Sequence, residues 1–446
     1  MVAISSSSAA NDYLYAWRWL LPLADAGHLE FKGIAKGAQL LFRSLVSSEV
    51  DGARHSGRSI LVCDLANCEF DLSASDKYDF LAVIGPRASV DAVCGSLGGE
   101  WAFNDSYALL PSSRPRLAVP LSSAKATRRA LNLHRPGRFG ARLAINLVSV
   151  VLGLGASVLL QRRKLVFLAK QSIGLPVGLH GSVANQAYCK ETTNFAVYFG
   201  ACGDNRKTVA LPVDSEPSAI FKTAWAPNAK RSLLNEGGAL KALAKTSLAG
   251  RVPCLLSLDQ TASQVTMIQE YRRRCAVRSG KLRKGVTSFL RELSSVDACA
   301  IGLEEWLDSA LNAQNEKQLG GIPGKLRSIA NMGIEIDAHR CHGDFAPWNV
   351  AWSARGVFVF DWEESHSSVP ALFDAFFFAA AEDLLVAKKF DAQSSLKKMR
   401  DLAIEVSRLA REEIDLYLAL WLVDRASKDD SPKLLKLINS FEDEWV

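Results

Sequence analysis

Three oxygen-bearing side chains stand at fixed steps in the C-terminal half of the chain. Cys341-His342-Gly343-Asp344-Phe345-Ala346-Pro347-Trp348-Asn349 puts an asparagine five residues after an aspartate, and Asp361-Trp362-Glu363 begins twelve residues later. These residue types suit phosphoryl transfer. A carboxylate such as Asp344 can accept the proton of an attacking hydroxyl, while the amide oxygen of Asn349 and the carboxylate of Asp361 can hold Mg2+ against the phosphates of ATP.

The elements that must position them are legible nearby. Val350-Ala351-Trp352 and Val357-Phe358-Val359-Phe360 are apolar, β-favouring runs joined by Ser353-Ala354-Arg355-Gly356, which predicts a hairpin that returns Asp361 to the side of Asn349. Pro347 fixes its own φ and biases Ala346 towards an extended conformation, so the loop that aims Asp344 and Asn349 is stiff.

His-Gly-Asp-x-x-x-x-Asn over 342–349 and Asp-Trp-Glu over 361–363 resemble the motifs of the aminoglycoside phosphotransferase and choline kinase-like family, relatives of the protein kinases. The resemblance spans residues 185–446 and is carried chiefly by these two motifs. It implies an α+β chain whose C-terminal part is a two-lobed, protein-kinase-like domain, with a small β-rich lobe over 185–268 and a large helical lobe over 273–446. It further implies ATP and Mg2+ as cofactors, Asp344 as the base, and Asn349 and Asp361 as metal ligands. His342 is open to two readings: a general base with a suitable pKa, or, as in similar proteins, a brace that hydrogen-bonds nearby backbone.

The same resemblance extends to the nucleotide side. Strands are expected over 194–200, 207–213 and 218–224, with a glycine-bearing turn at Gly200 and Gly203 whose backbone can approach phosphate. Lys222 takes the place of the strand lysine that contacts the α- and β-phosphates, and Glu236, fourteen residues on, that of its carboxylate partner. A further strand over 265–271 is the expected hinge, with Glu270 as the position beside the adenine. Helical spacing recurs over 287–300, 303–315, 324–331, 370–389, 394–409 and 412–426. The chain departs from the family after Asp-Trp-Glu: Ser368-Val369-Pro370 and then Asp374 stand at shifted offsets, which leaves open whether Asp374 braces the loop. The phenylalanines at 373, 376, 377 and 378 read as core at helical spacing.

Composition bounds the rest. A chain of 446 residues exceeds what one core serves, and 48% apolar content suffices for two or three. A net charge of +6 and a pI near 8.8 are mildly basic, and the charges are dispersed, which excludes a nucleic-acid footprint. Nine scattered cysteines with no CxxC pair imply free thiols in a reducing cytosol rather than a zinc site or a disulfide framework. The first eleven residues lack the basic and apolar regions of a secretory signal.

Residues 1–140 are expected to form a small α/β domain of unknown role, with strands over 59–64 and 78–85, a helix over 88–97 and a turn at Gly98-Gly99. Residues 141–184 are expected to hold an apolar linker helix. Within it, 143–160 carries no charge and is flanked by Arg142 and Arg162. Eighteen residues is the lower limit for a membrane span, and Asn146, Ser149, Gly153 and Ser157 form a small, polar stripe. A buried helix, a helix lying on a membrane as a peripheral contact, and a span all remain open.

The expected function is transfer of the γ-phosphoryl group of ATP to a hydroxyl of a small molecule: a sugar, aminoglycoside, amino-alcohol or glycoconjugate. The alternative is a catalytically inactive, nucleotide-binding regulatory or scaffold protein.

Overall fold

A computed structural model describes residues 26–34, 39, 58–111, 115–121, 123–131, 162–173, 195–200, 204–213, 217–262, 264–272, 279–353 and 355–445. The chain divides into two compact units: Met1–Leu233 with Leu256–Tyr271, and Leu234–Leu255 with Arg272–Val446. It is a mixed α+β protein.

The first unit is organised on one eleven-stranded sheet. In chain order its strands are β1 (Ala26–Lys32), β2 (Arg58–Asp64), β3 (Phe80–Pro86), β4 (Trp101–Leu110), β5 (Leu117–Pro120), β6 (Arg163–Lys170), β7 (Phe195–Tyr198), β8 (Lys207–Pro212), β9 (Ala219–Ala224), β10 (Leu255–Gln260) and β11 (Val265–Glu270). Across the sheet they run β1-β2-β3-β6-β4-β5-β7-β8-β9-β11-β10. The first three are parallel, and the pairings from β3 across to β11 are antiparallel. Ile60, Leu61, Val62 and Cys63 are all buried, the continuous apolar run of a strand covered on both faces. Helix α1 (Arg87–Ser96) covers one face through Val90, and α2 (Ala124–Leu131) covers it further along through Ala126, Ala130 and Leu131. On the opposite face a second core extends from Leu29 on β1 to Ile268 on β11.

The sheet thus continues from the N-terminal region into the strands expected for the small lobe, because Leu117 and Ala118 of β5 pair with Tyr198 and Val197 of β7. Strand β6, drawn from the stretch read as a linker, lies between β3 and β4. Strand β4 escapes sequence reading for a physical reason. Its register shifts between Phe103 and Asp105, so the two-residue alternation that marks a strand is broken in its middle.

The second unit is mainly helical. The C-terminal part of α3 (Pro227–Leu243) enters it, followed by α4 (Ser279–Leu293), α5 (Leu303–Ala310), α6 (Ala313–Gln318), α7 (Ile322–Ala330), α8 (Phe373–Ala381), α9 (Ala392–Ser407), α10 (Arg411–Ala426) and α11 (Pro432–Glu444). Strands β12 (Cys299–Gly302), β13 (Glu335–Cys341) and β16 (His366–Pro370) form a small sheet in the order β12-β13-β16, and β14 (Val350–Ser353) pairs with β15 (Gly356–Val359). Helix α10 buries residues on nearly every side, which makes it the central post of the unit; Trp421 meets Phe376 of α8 with ring centroids 6.3 Å apart.

The helix expected over 287–300 is displaced, since α4 ends at Leu293 and Cys299–Gly302 is a strand. Helix α11 was not expected, although its start signal stands in the sequence: the Ser431 side chain caps Leu434 N–H and Pro432 occupies the first turn. Among the described residues no helix is long and apolar enough to cross a membrane. The stretch 143–160, with its three readings, and Gly203 lie outside the described residues.

Candidate active site

The loop after β13 is held by one buried carboxylate. Asp374, in the first turn of α8, accepts the backbone N–H of His342 at 2.6 Å on Oδ2, and on Oδ1 the N–H of Gly343 at 3.1 Å and the Cys341 thiol at 2.9 Å. Three donors compensate for burying the charge. The role left open by the shifted offset of Asp374 is therefore filled, and the turn at Leu372, with φ +69°, delivers the start of α8 to that point. Burial and the Asp374 carboxylate push the Cys341 thiol well above its usual range, so it stays a donor. Gly343 has φ +85°, and a Cβ there would stand 2.1 Å from the carbonyl oxygen of Glu364. Only glycine fits.

His342 is wholly buried. Its Nδ1 accepts the Asp344 N–H at 3.3 Å and its Nε2 donates to the Phe360 carbonyl at 3.1 Å, a tautomer assigned from these partners. Its ring lies 4.6 Å from that of Trp362 and 5.7 Å from that of Phe345. Both nitrogens are engaged by backbone, so the first reading of His342, as a base in its own right, is corrected: the ring ties the loop to the end of the hairpin. Trp362 is anchored in turn by Nε1 donating to Val359 O at 3.1 Å.

The Asn349 amide nitrogen donates to the backbone oxygen and to Oδ2 of Asp344, both at 2.9 Å. That bond pair engages the amide nitrogen of Asn349 and does not use its Oδ1. Strands β14 and β15 form the expected hairpin, from Val350 opposite Val359 to Ser353 opposite Gly356, and Phe360 N–H donates to Asn349 O at 3.1 Å. Asp361 follows at once, in a left-handed conformation with φ +72°, ψ +56°. Aspartate tolerates this backbone region better than most residues. The hairpin is seated on α4. Arg251 donates to the carbonyl of Gly285 at 3.0 Å and pairs with Glu292, while a Cβ on Gly285 would stand 2.6 Å from Val357 Cγ2.

Burial raises the Asp344 carboxyl above the usual carboxylate range, and the nearby charge of Asp361 adds to the rise; His342, the Asn349 amide and Arg425 oppose it. Two carboxylates near enough to feel each other, with a fixed amide oxygen beside them, suit a hard divalent cation. Among the described residues no three His, Cys, Asp or Glu side chains form a metal cluster. Carboxylate and amide oxygens are the donor type that Mg2+ takes, with water and phosphate for the rest.

The other named residues are placed unit by unit. Lys222 is buried on β9, opposite Val209 and Met267. Glu270 ends β11 opposite Ala219. Gly200 has φ +70°, and a Cβ there would stand 2.5 Å from Lys207 O, so its glycine is accounted for by the closing of its own turn. Glu236 is buried on the part of α3 that belongs to the second unit.

Sequence reading missed Asn235, whose amide nitrogen donates to the carbonyls of Glu363 and Ser365, each at 2.8 Å. It also missed Ser365, whose hydroxyl donates to Cys341 O at 2.8 Å. Neither leaves a spacing signature, since one partner is a distant backbone group.

No protein-family model matches the chain, and no curated protein sequence matches it. Solved structures of small-molecule kinases do. A thermostable mutant of an aminoglycoside phosphotransferase covers 57% of this chain and 95% of its own, at 11% identity and a TM-score of 0.41. An aminoglycoside phosphotransferase from Streptomyces rimosus covers 52% and 92%, at 15% identity and 0.34. A choline kinase from Streptococcus pneumoniae covers 53% and 87%, also at 15% and 0.34. Likeness this low adds no weight to what the site's own geometry supports.

Proposed function

We propose that the chain is an ATP- and Mg2+-dependent phosphotransferase acting on a hydroxyl of a small molecule. The observation that carries the reading is the pair of 2.9 Å bonds by which Asn349 holds Asp344, a half-buried carboxylate that feels the charge of Asp361. When bound, Mg2+·ATP supplies the transferable phosphoryl group and the cation that offsets its charge.

In this reading Asp344 orients the acceptor hydroxyl and takes its proton as the oxygen bonds to the γ-phosphorus and the bond to the β-phosphate oxygen breaks. Asn349 Oδ1 and the Asp361 carboxylate would hold the metal. Lys222, with Glu236 as its carboxylate partner, would neutralise phosphate charge, and Glu270 would stand at the adenine edge. His342 and Asp374 act on the loop rather than on substrate. Residues 185–268 would serve as the small lobe and 273–446 as the large one. Most of the rate comes from in-line positioning and electrostatic stabilisation. The acceptor class stays broad: sugar, aminoglycoside, amino-alcohol or glycoconjugate.

The test is Mg2+-dependent ADP release from ATP in the presence of a panel of hydroxylated metabolites. Asp344→Asn is expected to abolish acceptor-stimulated release while leaving ADP binding intact. Full turnover by that variant would remove the assigned base, and no acceptor-stimulated release from the wild type would favour the inactive nucleotide-binding alternative.

A further inference from the structure

Helix α3 enters the second unit at Leu234, so Asn235 belongs to the half that carries Asp344. Its amide nitrogen bonds the carbonyl oxygens of Glu363 and Ser365. Those two carbonyls flank Glu364, whose own carbonyl is the surface against which Gly343 packs. From the other side, the Ser365 hydroxyl holds Cys341 O, and the Ser365 N–H closes the turn on Trp362 O at 3.1 Å. The turn Trp362–Glu364, which Asp361 begins, is therefore clasped between one side chain of α3 and the loop that carries Asp344. A left-handed, non-glycine residue such as Asp361 persists only where its surroundings over-determine it.

The two halves of the site are thus held differently. The Asp344 loop has Asp374 as its own clamp within the large helical body. The segment following Asp361 has Asn235 of α3, besides the Ser365 bond to Cys341 O.

We propose that Asn235 is the positioning residue of the metal half of the site: by holding 363–365 against α3 it keeps Asp361 at the offset from Asn349 that a divalent cation needs. The inference rests on the phosphotransferase reading. Loss of the Asn235 bonds is expected to loosen the segment after Asp361 more than the Asp344 loop, which Asp374 clamps separately. The acceptor hydroxyl is served by that loop, so its binding is expected to be insensitive to Asn235.

The experiment titrates the full-length protein with ADP by calorimetry, in EDTA and in Mg2+. Wild type is expected to bind ADP more tightly with Mg2+. Asn235→Leu, which keeps the volume and removes the donor, is expected to lose about tenfold or more of that tightening, with metal-free ADP affinity within about threefold of wild type. Asn235→Ala is the second variant should leucine not be accommodated, and ligand-free thermal unfolding reports whether either is folded. A purely structural role lowers Tm and leaves the Mg2+-dependent tightening intact, which overturns the proposal. If wild-type ADP binding is absent or ignores Mg2+, the phosphotransferase reading itself fails and the role of Asn235 falls with it.

Discussion

Two aspartates, one in each unit, stand in different surroundings: Asp64 is fully buried, whereas Asp344 is half-buried. Asp64 ends β2 with no exposed surface and accepts the Ala66 N–H at 3.1 Å, the Asn67 amide at 3.2 Å and the Arg163 guanidinium at 3.0 Å. Burial still lifts its carboxyl above the usual range, but every neighbour named as acting on it pulls the other way. Asp344 is lifted by burial too, and there a neighbour, Asp361, pushes in the same direction. A carboxylate surrounded by donors and a guanidinium is complete and holds the fold. Asp344, eased by His342, the Asn349 amide and Arg425, is incomplete in one respect: it also feels a second carboxylate, whose charge a bound cation would offset.

The contrast can be broken by substitution, and the largest effect belongs to the incomplete aspartate. Asp344→Asn is expected to lower kcat about 10³-fold and to raise thermal stability at neutral pH. The sign follows from linkage: a carboxyl whose pKa is raised by folding stabilises fully below its unfolded value, and that share disappears as pH rises through the folded value. An asparagine cannot ionise and escapes the loss. Denaturant unfolding at pH 7 checks the direction, and a marked destabilisation would place Asp344 with Asp64 among structural carboxylates.

Asp64→Ala is expected to do the reverse, costing about 3 kcal/mol of stability by leaving Arg163 without its carboxylate, with kcat per folded molecule unchanged. Loss of turnover in folded Asp64→Ala protein would erase the distinction. Gly343→Ala tests the packing behind the active loop: a Cβ forced against Glu364 O in a left-handed backbone is expected to cost about 2 kcal/mol and to lower kcat with it. The smallest effect is in pH. The acidic limb of the kcat profile is expected to lie above the ordinary carboxylate range, because Asp344 must lose its proton to act, and to move to lower pH when Mg2+ is raised from limiting to saturating.

Legibility differed sharply along the chain. The β14–β15 hairpin was readable because two apolar runs and a turn tetrapeptide lie within ten residues, and the Asp344 loop because its residue types and spacing form a motif. Strands β2 and β3 and helix α1 were readable as compact apolar or periodic runs. Strands β4 and β6 were not, since a bulge breaks the alternation of one, and the other begins with Arg163 and Lys164, whose partners are the distant Asp64 and Asp91. Asp374 was visible as a residue but not as a clamp. Its bonds go to backbone groups on a different element, and no offset along the chain encodes which carbonyl or N–H a side chain will meet.

By itself the sequence determined which groups can do chemistry and their order: an aspartate, an asparagine five residues on, and an aspartate at the end of a hairpin. Local geometry over some twenty residues suffices for that, since a stiff turn and a two-strand return are short-range objects. Only the tertiary structure decided what each group is left free to do. Whether His342 keeps a nitrogen for a proton, whether Asp374 is spent on the loop and whether Asn235 reaches the segment after Asp361 depend on backbone polar groups brought together from distant parts of the chain, and burial makes those pairings obligatory.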